Sequence, residues 1–118
     1  MALQFPLAAL LLLGLFSCPP PGEGARAERG YAQGVPILHA LARYHADSAA
    51  YPDALARLAP QYLTAADLAP PNAPEQDYPW EYERAAAHFI LRFRYSGPGL
   101  NSCSYDSRSA RWTCSGLF

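Results

Sequence analysis

The chain predicts an α+β domain, an N-terminal helix plus a short helix packed on a small antiparallel sheet of about four strands. Three observations carry that expectation. Ile37 to Leu63 reads as an amphipathic helical unit broken at Tyr51-Pro52. Phe89 to Tyr95 alternates between apolar and charged or other residues at the period of a strand. Near the C-terminus, Cys103 and Cys114 flank a turn signal and so mark a closing hairpin.

The helical unit begins after Gly34-Val35-Pro36, with Pro36 placed in a first turn, where its missing N–H costs nothing. Ile37, Leu41 and Tyr44 fall on one face, with Leu38 beside them, and Ala40, Ala42 and Ala46 supply helix propensity. Proline disfavours the helical conformation of the residue before it, so this helix stops short of Tyr51. Pro52 then opens a shorter helix carrying Leu55 and Leu58, which Pro60 ends. Tyr51, Leu55, Leu58, Tyr62 and Leu63 are core candidates.

Thr64 to Tyr78 is the least regular stretch, a polar connection with Pro70, Pro71 and Pro74. Strand signals come next. Trp80 and Tyr82 alternate with Glu81 and Glu83, and Ala85-Ala86-Ala87 makes a short connection. In the next strand Phe89, Leu91, Phe93 and Tyr95 face one way, and Arg92 and Arg94 the other. Antiparallel pairing sets the two Glu against the two Arg as a solvated charge ladder.

Ser96-Gly97-Pro98-Gly99 is a turn cluster. If residues 106–111 form the last bend, Tyr105 faces Trp112 and Cys103 faces Cys114. Directly opposed cysteines in an antiparallel pair reach the separation that a disulfide needs, so Cys103–Cys114 is the expected bridge. A loop of that size is worth about 3 kcal/mol in the chain-entropy account, and an exported protein is where such a bond persists.

At 118 residues the chain holds one small domain and a leader. Its nine basic residues, all Arg, nearly balance ten acidic ones, for a net charge of -1. No basic stripe exists to neutralise phosphates, which argues against a nucleic acid partner. Leu7 to Phe16 is a compact apolar block, about half the ~20 residues of a spanning helix, and reads as the core of a signal peptide over residues 1–17. Its n-region lacks Lys and Arg.

Two processing sites compete. Leu15-Phe16-Ser17-Cys18 resembles the lipobox of bacterial lipoproteins, whose cysteine is lipidated and becomes the first mature residue. Ala25-Arg26-Ala27 has the A-x-A form of ordinary cleavage. On the first reading Cys18 is the lipidation site and the membrane is a partner through that lipid anchor. Residues 18–33 then form a Pro- and Gly-rich tether, extended at Pro19-Pro20-Pro21, and residues 34–118 the globular domain. The protein is expected on the periplasmic side of a bacterial envelope, lipid-anchored or else secreted.

Candidate chemistry is thin. His39 and His45 are six positions apart and share no helical face as paired ligands do, and His88 stands alone. Asp67, Asn72, Glu75 and Asp77 offer oxygens for calcium but lack the spacing of an EF-hand loop. The chain contains no nucleophile elbow, zinc-protease motif or glycine-rich phosphate loop. No catalytic residue, cofactor or metal is therefore assigned.

Ala42-Arg43-Tyr44, Tyr51-Pro52, Leu55, Leu58, Pro60, Tyr62, Leu63 and Trp80-x-Tyr82, in that order, resemble the globular part of type II secretion pseudopilins. The likeness spans roughly Gly34 to Tyr95. It implies a pilin-like fold, helix first and small antiparallel sheet after. The chain departs from the family in lacking the prepilin cleavage motif with its long apolar helix, and the Asp-Pro-Trp-Gly segment of the calcium site. The fold is carried over; the filament role and the metal site are not. Taken with the leader, the resemblance implies a non-enzymatic envelope protein, a lipid-tethered pilin-like interaction or structural domain. It would be linked to a type II secretion or pilus system, with an envelope protein as partner. The alternative is an exported ligand-binding or inhibitor module that uses its aromatic residues and the 64–78 loop; exposed Trp80 or Tyr78 rings would favour it.

Overall fold

The computed structural model of the chain describes residues 19–117. The expected signal segment and the candidate lipidation site Cys18 lie outside the described residues. Within them, one long helix, α1 (Ala25–Ser48), precedes two 3-10 turns (Leu55–Leu58 and Ala65–Leu68) and four strands. These are β1 (Glu81–Ala85), β2 (His88–Ser96), β3 (Leu100–Asp106) and β4 (Arg111–Leu117), antiparallel neighbours in chain order. The architecture is α+β, with α1 laid on one face of a four-stranded meander.

Helix α1 starts at Ala25, well before Pro36, so residues 25–33 belong to the helix and not to a tether. Pro36 sits inside the helix on an exposed turn, where the carbonyl it leaves unpaired can be hydrated. The early turns are hidden in the sequence because they carry glycines, which read as helix breakers. Here the glycines serve close approach. Ala27, Gly30, Gly34, Ile37, Ala40 and Leu41 form one buried stripe. A Cβ on Gly30 would overlap the ring of Phe93, and one on Gly34 would lie 3.2 Å from Trp112 and 3.4 Å from Trp80. The helix backbone thus rests directly on aromatic rings.

The helix ends as the Tyr51-Pro52 signal requires. Ala49 takes the left-handed conformation (φ 59°) and its N–H donates to the His45 carbonyl at 2.8 Å. The expected second helix is only a 3-10 turn, Leu55–Leu58. Ala54 is extended, and Pro60 holds Ala59 extended as well (φ −93°, ψ 144°), so the helical stretch is confined to a single turn. Leu58 and Leu63 still reach the core, with Tyr51, Leu55 and Tyr62 packed against it.

The sheet adheres closely to its sequence pattern. Phe89, Leu91, Phe93 and Tyr95 of β2 are buried beneath the helical layer, joined by Trp80 and Cys103, with Tyr82, Tyr105 and Trp112 alongside. Phe93 is the centre, meeting Tyr31, Trp80 and Trp112 edge-on at centroid distances of 5.7, 5.5 and 5.3 Å. On the outer face the charge ladder differs from expectation. The register places Glu81 opposite Arg92 but Glu83 opposite Ile90. Glu81 alone receives both guanidinium groups, from Arg94 Nε at 2.6 Å and Arg92 Nη1 at 3.8 Å.

The last hairpin takes the expected register, Cys103 opposite Cys114 and Tyr105 opposite Trp112. The Cys103–Cys114 disulfide is formed, its Cα atoms 4.1 Å apart.

Candidate functional site

The most elaborate local arrangement joins the start of the described chain to the disulfide. Residues 19–24 fold back over the helix-side face of the sheet. The Gly22 N–H donates to Tyr95 Oη at 2.8 Å, and Tyr31 Oη donates to the Gly22 carbonyl at 2.8 Å. The same Tyr31 hydroxyl lies 3.1 Å from Cys114 Sγ. Gly22 is at φ +90°, and a Cβ there would come within 2.8 Å of that sulfur, so only glycine fits. Arg26 extends the arrangement, donating from Nη1 to the Ser96 carbonyl at 2.7 Å. Burial raises the Tyr31 phenol above its ordinary value, with Tyr95, Glu28 and Glu23 adding to the effect.

This lead-in is not legible from composition. Gly22 and Gly24 read as joints that loosen a proline-rich spacer, and nothing local shows that Tyr31 and Tyr95 hold the first of them. A hollow of about 230 Å³ beside it is lined by Pro19, Glu23, Arg26, Tyr95 and Gly97.

The 64–78 loop is fastened to the helix and the sheet at several points. Asp67 Oδ2 accepts from both the N–H and the hydroxyl of Thr64, at 2.9 and 3.0 Å. Gln76 acts like a strand residue toward Ser96, donating to its carbonyl at 2.9 Å and accepting from its N–H at 3.1 Å. Asn72 is buried in the left-handed conformation (φ 66°), and its Nδ2 donates to the Arg26 carbonyl at 3.1 Å. Its Oδ1 has no hydrogen-bond partner among the described residues. Trp80 is 9% exposed and its indole N–H donates to the Ala69 carbonyl at 3.1 Å. Tyr78 is half-buried. The aromatic residues are thus spent largely on the core.

The oxygen donors considered for calcium are dispersed: Asp67 holds Thr64, Glu75 faces Arg29 at 3.8 Å, and Asn72 is turned inward. His39 is exposed, His45 packs on Tyr51 at 4.4 Å, and His88 begins β2. Among the described residues no three His, Cys, Asp or Glu side chains are grouped to hold a metal ion. No helix among them is long and apolar enough to cross a membrane.

At the other end of the sheet, Tyr82 Oη donates to the Pro52 carbonyl at 2.6 Å and Arg84 Nη1 to the Tyr51 carbonyl at 3.0 Å, so β1 holds the Tyr-Pro corner. Burial pushes the Tyr82 phenol up to about 12. In the β3–β4 turn, the Arg108 side chain and then its backbone N–H hold the Asp106 carboxyl down at about 2. These are structural contacts, and none sets a nucleophile beside a base.

Comparisons with protein-family models, with curated proteins and with solved structures gave no match to this chain.

Proposed function

We propose that this chain is a non-enzymatic, lipid-tethered domain of the bacterial envelope, built on a pilin-like plan and acting by protein contact in a type II secretion or pilus system. One observation supports the tether above others. The residues directly after Cys18 are fastened to the folded domain through Gly22, Tyr31 and Tyr95. A lipid on Cys18 then holds the domain close to the bilayer, with only a few residues between the anchor and the first fastening point. The pilin-like plan rests on the resemblance from Ala42-Arg43-Tyr44 through Trp80-x-Tyr82 and is supported by the order of the elements, helix before meander.

Metabolic labelling with a palmitate analogue tests this reading. The wild-type chain is expected to carry the label and fractionate with membranes, and Cys18→Ala to lose both. A labelled-lipid signal unchanged by Cys18→Ala, or a wild-type chain found wholly in the soluble fraction, overturns it. Crosslinking in cells is expected to trap a secretion or pilus component beside the tethered domain.

A further inference from the structure

The two edges of the sheet differ. Strand β1 has five residues, three of them Glu81, Glu83 and Arg84, and is preceded by Pro79, which is how sheet edges avoid unwanted pairing. Strand β4 has seven residues, RWTCSGL, with one charge at its start and no proline. Arg111, Thr113 and Ser115 are exposed on it. Among the described residues no segment pairs with the outer edge of β4, and Arg111 is its one charge.

The free edge also has its backbone groups correctly aimed. The 4.1 Å Cα separation of Cys103 and Cys114 is that of a pair that does not exchange ladder hydrogen bonds. By alternation along the ladder, Tyr105–Trp112 and Asn101–Gly116 are pairs of the same kind. The N–H and C=O groups of Trp112, Cys114 and Gly116 therefore point away from β3, toward the open edge. Among the described residues no hydrogen bond to these groups is formed.

We infer that β4 pairs with β4 of a second copy of this chain, antiparallel about a two-fold axis at Cys114, to make one continuous eight-stranded sheet. The occupant is set by the strand's complementarity to itself. With Cys114 opposite its own counterpart, Trp112 lies opposite Gly116 of the second copy, the largest side chain against none. Trp112 is only half-buried in one copy, and its free edge is covered in the pair. On the outer face Thr113 lies opposite Ser115 of the second copy, a favourable cross-strand hydroxyl pair. Every outward N–H and C=O then meets a partner, because the axis passes through a residue whose own groups face the edge. No like charges are opposed.

A two-fold axis normal to the sheet leaves α1 and residues 19–24 of both copies on the same side of the joint sheet. One membrane surface can therefore hold both, although the pairing itself does not require the lipid. A single pair of short strands buries less than the ~1,200 Å² of a standard stable interface, so the association in solution is weak and best read at high concentration. Holding both copies on one surface raises their effective concentration and strengthens it.

Sedimentation equilibrium of the full chain in density-matched detergent tests the pairing. The wild type is expected to rise with concentration toward twice the monomer mass. Two double variants, Thr113→Lys with Ser115→Lys and Thr113→Glu with Ser115→Glu, place like charges opposite each other across the axis. Both substituted positions are exposed, so the fold and the disulfide are retained, which circular dichroism and intact mass verify. Each variant alone is expected to stay monomeric, at least ~10-fold weaker in association, and an equal mixture of the two to recover the dimer. A wild type that stays monomeric throughout, variants that dimerise like wild type, or a mixture that stays monomeric each overturns the inference. Failure of lipid labelling would leave this result untouched.

Discussion

The backbone of Gly30 rests on the ring of Phe93 with no space for a Cβ between them. This contact sets how closely α1 approaches β2, because Gly30 lies within the buried stripe and Phe93 meets three other rings edge-on at the centre of the core. Gly30→Ala therefore trades a helix-propensity gain of about 1 kcal/mol against overpacking of about 1–3 kcal/mol. Net destabilisation is expected in urea unfolding. Phe93→Leu should be less harmful in the Gly30→Ala background than in wild type, a coupling that a double-mutant cycle measures.

The disulfide offers a second test. Cys103 is fully buried and Cys114 lies against Tyr31 and Gly22, so the bond joins the sheet to the lead-in as well as β3 to β4. Removing it as Cys103→Ser with Cys114→Ser is expected to cost about 3 kcal/mol, read as a lower urea midpoint that reductant no longer changes. Wild type in reductant should fall to the same midpoint within the error of the two hydroxyl substitutions.

Much of the sheet is legible in the sequence because its signals are local. The alternation from Phe89 to Tyr95 and the spacing of Cys103, Tyr105, Trp112 and Cys114 each specify a face or a register without help from elsewhere. The helix start is not legible, since Gly30 and Gly34 lower propensity and are justified only by Phe93, Trp80 and Trp112, far away in the chain. The same holds for the lead-in. Gly22 is ordered by Tyr95, a contact 73 positions distant that no periodicity records. The second helix departs from expectation for a different reason: the leucines are spaced for a helix, but Ala54 is extended before them and Pro60 holds Ala59 extended after them, which leaves one 3-10 turn.

That lead-in yields a third prediction. Tyr95→Phe removes the acceptor of the Gly22 N–H and keeps the buried ring. Loss of one such bond is worth about 1 kcal/mol, most of it local to residues 19–24. Hydrogen exchange at Gly22 should accelerate, and trypsin should cut after Arg26 faster, while the global urea midpoint moves little. A large global shift with unchanged exchange at Gly22 would mean that the hydroxyl matters elsewhere.

The Asp106–Arg108 pair gives a signed pH dependence at the hairpin turn. Hydrogen bonds from the Arg108 guanidinium and N–H hold the folded carboxyl at about 2, below its ordinary 3.8. The folded state thus favours the ionised form, and its contribution is complete above the unfolded value and lost as pH falls toward about 2. Asp106→Asn should be less stable than wild type at neutral pH. The gap should narrow between about pH 4 and pH 2, as thermal melts across that range will read.

Tyr82 gives the opposite sign at the alkaline end. Its hydroxyl donates to the Pro52 carbonyl at 2.6 Å, and burial raises the folded phenol to about 12 from an ordinary 10.0. Arg84 pulls the other way but does not offset the burial. The folded state therefore favours the protonated phenol. Its contribution is complete below pH 10 and fades as pH rises toward about 12. Tyr82→Phe leaves the Pro52 carbonyl without this donor and is expected to cost about 1–2 kcal/mol at neutral pH. The wild-type advantage should shrink through the alkaline window as the unfolded phenol ionises first, while the acid limb stays parallel in the two proteins. A constant gap from neutral pH to pH 12 would show that the hydroxyl is free to ionise in the folded chain and that β1 does not hold the Tyr-Pro corner through it.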